Sequence, residues 1–136
     1  SRSFTLRNLC ARLASFIREE PRRTAPHTAL AVAVARFEWA QTVAFDGEAR
    51  PGLTADDLAT TPPNRLRLGL QPYLSLLALD WPVDDYVIAV KERDALRRDA
   101  SNAIDRGPRA SSRKKVRRPP RRRTCIVVHR YQQQQP

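Results

Sequence analysis

A chain of 136 residues, 41% of them apolar, is one domain by length, with enough apolar content to close a single core. Its formal charge of +11 is local: residues 1–105 balance 14 basic side chains against 14 acidic ones, whereas residues 106–136 carry 11 basic and no acidic side chains. No apolar run reaches the ~18–20 residues of a membrane span, and Arg7, Arg12 and Arg18 break any leader-like stretch, which excludes a helical membrane protein and makes the cytoplasm the expected compartment.

The first residue is not Met, as in a fragment or a processed chain. Ser3 is a fitting N-cap for a helix over 3–20, in which Leu6, Leu9, Cys10, Leu13, Phe16 and Ile17 recur at three- and four-residue spacing. Pro21 stops it. A second helix, 28–45, carries Leu30, Val34, Phe37 and Gln41 on one stripe, with Ala33, Ala40 and Ala44 allowing close approach, and Asp46-Gly47 ends it. Thr54 to Asp57 reads as a capping box, and Pro62-Pro63 terminates the short turn of helix that follows.

From Asn64 to Gln71 the period changes to two, with Leu66, Leu68 and Leu70 alternating with polar residues or Gly, the pattern of a strand with one buried face. Tyr73 to Trp81 is a second strand candidate, apolar on both faces and therefore expected nearer the sheet centre. Composition alone would also allow a helix there, and its length and flanking prolines favour the strand. Pro82 opens a third helix, 83–98, with Asp84 and Asp85 at its positive end and Val83, Tyr86, Val87 and Val90 inward. Thr124 to Tyr131 is a closing strand.

The expected fold is therefore α+β, three main helices packed on a small, largely antiparallel sheet. The domain covers 1–99 and its closing strand 124–131; a disordered basic loop, 100–123, lies between, and 132–136 form a low-complexity end. The expected core comprises Leu66, Leu68, Leu70, Leu77, Leu79 and Ile126 from the sheet, with Leu13, Phe16, Phe37 and Trp39 from the helices.

Catalytic chemistry is not expected. His27 and His129 have no second ligand at metal-binding spacing, and the four glycines form no phosphate-cradling loop, so no cofactor is anticipated. Cys10 and Cys125 read as buried structural thiols. Asp56-Asp57 and Asp84-Asp85 each open a helix, where negative charge complements the dipole. Glu38-Trp39 reads as a buried hydrogen-bonded pair or as part of a partner-facing surface.

Arg113, Lys114, Lys115, Arg117, Arg118, Arg121, Arg122 and Arg123 place eight cations in eleven residues. Like charges at that density keep a chain extended, and Pro119-Pro120 prevents a continuous helix. Such an arm can follow a phosphate backbone without reading bases, or can be a solvated loop. It contains no aromatic residue on which single-stranded bases would stack.

Four motifs occur in order: Ala35 to Ala40 (ARFEWA), Leu66 to Leu77 (LRLGLQPYLSLL), Trp81-Pro82-Val83, and Ile126 to Arg130. Together they resemble the HvfC/BufC family of bacterial proteins, which carry a DNA-binding label and whose members show an ARLEWA helix, an LRLRLHPSLRLL strand pair, a [WY]PV turn and a VVxR strand. The chain departs from that pattern in lacking the family's N-terminal helical half and the hairpin partner of its last strand.

The resemblance implies a non-catalytic accessory protein whose partners are an iron-dependent, peptide-modifying oxygenase and its precursor peptide. A peptide would add to a sheet edge, with Arg65 and Arg67 or Val128 and Arg130 as the edge residues. The alternative is DNA binding, mainly nonspecific, through the basic arm. No helix carries a row of Arg, Asn or Gln suited to a major groove.

Overall fold

The computed structural model describes residues 6–102 and 115–130. In chain order it has α1 (Leu6–Glu19), a 3-10 turn (Pro21–Arg23), α2 (Thr28–Asp46), α3 (Ala55–Thr60), β1 (Ser75–Leu79), α4 (Val83–Asn102) and β2 (Thr124–Val128). The fold is α+β: α1, α2 and α4 accompany a two-stranded antiparallel sheet. None of the described helices is long and apolar enough to cross a membrane.

Helix α2 is central because it is apolar on more than one side. Leu30, Ala33, Phe37, Ala40 and Ala44 recur at helical spacing and pack against Leu77 and Leu79 of β1, Ile126 and Val128 of β2, and Val83 and Val87 of α4. Val83 has no exposed surface. Ala35, also buried, falls on the opposite side of the helix by its position in the turn. The helix ends at Gly47, whose N–H donates to Val43 O at 2.8 Å. A Cβ on Gly47 would lie 2.8 Å from Tyr73 Cβ, so the chain entering β1 can pass this helix end only where no side chain stands.

In the sheet, Leu77 faces Ile126 and Leu79 faces Thr124. Alternation sends Leu77, Leu79, Ile126 and Val128 inward and Leu76, Ala78, Cys125 and Val127 outward. The strand expected over Tyr73 to Trp81 is thus shorter and buried on one face only, because a two-stranded sheet has no central strand.

The strand expected over Asn64 to Gln71 does not form. Arg65 N–H and Leu66 N–H both donate to Pro62 O, at 2.8 and 3.1 Å, which curls the start of the tract into a turn. At its end, the Gln71 amide exchanges two hydrogen bonds with the Arg50 backbone, 2.8 and 3.0 Å. Leu68 and Leu70 are consequently 74% and 76% exposed, and Leu66 is half-buried. The core on α1 is also smaller than its stripe suggests. Helix α1 lies along α2, but Leu13 and Phe16 stay 42% and 46% exposed, since one helix neighbour covers only part of a broad stripe. Trp39 is half-buried.

Of the stretch 100–123, expected to be disordered, residues 103–114 lie outside the described residues. Residues 99–102 extend α4 past the expected end at 98, and Lys115 to Arg123 is irregular but seated on the domain. The capping box of α3 is present: Thr54 Oγ1 accepts from Asp57 N–H at 3.2 Å, and Asp57 Oδ2 accepts from Thr54 N–H at 2.9 Å and from Thr54 O–H at 2.7 Å.

Truncating Phe37 to Ala should cost about 3–5 kcal/mol in denaturant unfolding, whereas Leu70→Ala should change stability by less than about 0.5 kcal/mol; similar losses would mean the tract 64–71 is packed. The hydrogen bonds from Thr54 hold the Asp57 carboxyl below its usual value of 3.8. Because that pKa is lowered on folding, the cap is intact above pH 3.8 and is lost as pH falls through the lower, folded value. Thr54→Ala should raise the Asp57 midpoint in an NMR titration.

Candidate binding surfaces

Two concavities flank α2, and both lie near Trp81. The first is built by the basic arm. Arg121 Nη2 donates to Asp80 Oδ2 at 3.0 Å, and its guanidinium carbon sits 5.8 Å from the Trp81 ring centroid. The next backbone N–H, of Arg122, donates to Asp80 O at 2.7 Å. Upstream, Arg118 Nη1 donates to His27 Nδ1 at 2.7 Å, which requires that nitrogen to be unprotonated. Pro119-Pro120 stiffens the chain between these anchors. The strap so formed borders a half-open hollow of about 630 Å³ over Leu30, Trp81 and His27. Lys115, Arg117, Arg122 and Arg123 are exposed and have no side-chain partner among the described residues. Arg113 and Lys114 lie outside the described residues.

The second concavity, about 420 Å³, runs between β1 and α2. Ala78 and Leu79 point to opposite faces of the sheet, yet both line it, so it lies along the strand's edge rather than on a face. It holds no residue of β2, which places it on the edge of β1 that β2 leaves unpaired. Thr28, Val32 and Ala33 form a floor of small side chains, and Arg18 and Arg36 stand on its rim.

Of the residues expected at a partner edge, Val128 lies on β2, which like β1 has one unpaired edge, and the others lie off the strands. Arg65 and Arg67 are exposed on the irregular tract, not on a strand. The Val128 side chain itself turns into the core. Arg130 follows β2 and closes the other end of α2. Its Nη1 donates to Phe45 O at 3.0 Å, and its guanidinium lies 4.3 Å from the Tyr73 ring centroid. A cation at the carboxyl end of a helix is favourable, so Arg130 is committed to the fold.

Other expectations are corrected by burial. Cys10 and Cys125 are exposed free thiols, Cys125 because its neighbour Ile126 takes the inward position. Glu38 is no buried pair with Trp39; its Oε1 lies 3.7 Å from Lys91 Nζ at the surface. His27 and His129 are exposed. Among the described residues, no three His, Cys, Asp or Glu side chains gather in a way that could hold a metal ion. The sequence reading missed Trp81, Asp80 and His27 as docking points of the arm, because nothing in local spacing links them to residues 118–122.

No family model, curated protein or solved structure matches this chain.

Both thiols should react with an aromatic disulfide reagent in the native protein, at rates close to those in denaturant. Protection of either until unfolding would mean that its face is covered.

Proposed function

We propose that this chain is a non-catalytic accessory protein that holds an extended peptide as an added strand along the free edge of β1. The supporting observation is the concavity along that edge. An incoming backbone would meet unpaired strand N–H and C=O groups, while its inward side chains would rest on Val32 and Ala33. Small floor residues leave room for the peptide's side chains, and Arg18 and Arg36 favour acidic ones. The partners proposed from the motif resemblance are an iron-dependent oxygenase and its precursor peptide, in the cytoplasm.

A second reading, nonspecific DNA binding, is supported by Lys115, Arg117, Arg122 and Arg123, which are exposed and have no side-chain partner among the described residues. Four such cations would give a logarithmic salt slope of about −3 to −4, without base preference.

A calorimetric titration with a precursor peptide encoded beside a neighbouring oxygenase separates the two readings. Val32→Phe, which fills the floor of the edge, should weaken the peptide by about tenfold or more, whereas Arg122→Gln with Arg123→Gln should leave it unchanged. The reverse result would move the binding surface to the arm. Loss of DNA affinity on every sequence alike in the double variant is expected of backbone contacts; a surviving sequence preference would defeat that reading.

A further inference from the structure

We infer that the concavity beneath the strap from Arg117 to Arg121 binds a phosphate-bearing small molecule with a flat ring, a mononucleotide by chemical class. This site goes beyond the peptide edge proposed above and shares only Ala29 and Trp81 with it.

Charge comes first. Arg117, Arg118 and Arg121 line the concavity, and no acidic residue does. Asp80, just outside, neutralises Arg121 at 3.0 Å. Arg118 spends one N–H on a neutral histidine nitrogen, which leaves its charge uncompensated. Arg117 has no partner among the described residues. Arg117 and Arg118 thus line one hollow with no acidic partner among the described residues, and planar guanidinium forks match phosphate oxygens.

Preorganisation comes second. An arm with eight cations in eleven residues would gain hydration and relieve repulsion by extending into water. Instead Asp80 holds it twice, through Arg121 and the Arg122 N–H, and His27 holds Arg118. A strap fixed in this way has already lost the entropy that a free arm would lose on capturing an anion.

The floor supplies the rest of the ligand. Leu30, Trp81 and Pro26 are apolar, and the indole offers a ring against which a base can lie. The strap itself has no aromatic residue, so it is the fold that brings one to the cations. The first turn of α2 borders the hollow with no acidic residue and no side-chain cap, and its dipole adds to the arginines' field. A volume of about 630 Å³ suits a small ligand, and arginines that converge on one hollow suit a terminal phosphate better than a polymer track.

The test is calorimetry on the full chain with AMP, adenosine, inorganic phosphate and a single-stranded oligonucleotide lacking a terminal phosphate. AMP should bind saturably at millimolar concentration or below, with adenosine and phosphate each about tenfold weaker or more. Arg117→Gln should weaken AMP by about tenfold with an unchanged melting curve, since Arg117 is exposed and its side chain has no partner among the described residues. Trp81→Leu should weaken AMP and leave phosphate binding unaltered; if this variant melts early, Arg117→Gln alone decides the matter. Equal affinity for adenosine and AMP, no saturable AMP binding, or no effect of Arg117→Gln would each overturn the proposal. Oligonucleotide binding that AMP does not displace would assign the strap to a polymer and overturn it as well. Peptide binding at β1 is read in a separate titration, so either site can fail without the other.

Discussion

Two antiparallel strands cannot bury their own inner face, and the domain stands because α2 lies across it. Paired strands alone are marginal in water. Here the contact of Phe37 and Ala33 with Leu77, Leu79, Ile126 and Val128 turns them into one side of a core, and Val83 and Val87 close it from α4. The alanines of α2 matter as much as Phe37, since they let the helix axis approach strands that are only five residues long. The polar contacts at the two ends of α2, His27 with Arg118 and Phe45 O with Arg130, then fix the segments on either side of β2 to that helix.

That dependence explains which parts of the fold were legible. Helix α2 announced itself through length, spacing and a Gly stop, and the capping box of α3 was readable residue by residue. The tract 64–71 had as good a strand pattern as β1, but periodicity specifies a face and not the element that will cover it. With α2 and α4 already occupying the inner side of β1 and β2, Leu68 and Leu70 had nothing to pack against. Cys125 was misjudged although the needed argument was at hand: placing Ile126 in the core sends its neighbours outward. The binding surfaces were the least legible. The anchors of the arm, Asp80 and His27, lie 41 and 91 positions from their arginines, and only the folded chain joins them.

Both proposed surfaces sit on the amino-terminal half of α2, on either side of Ala29, with Trp81 between them. A ligand that moved the indole on one side would alter the wall of the other. At the carboxyl-terminal half Arg130, Tyr73 and Gly47 pack the chain tightly around the helix end.

The antiparallel pairing of Leu77 with Ile126 also dictates an order of events in time. Strand β1 is synthesised before α4 and the basic stretch, and its partner only after both. Until then Leu77 and Leu79 have only helices to shelter them, and both strand edges are open, the condition under which nascent chains self-associate. Distant pairing of this kind is slow, because a long loop must close before any contact repays the lost entropy. Once Arg121 and Arg122 have docked, Thr124 stands two residues away and opposite Leu79, and β2 can zip along β1 from a register already set.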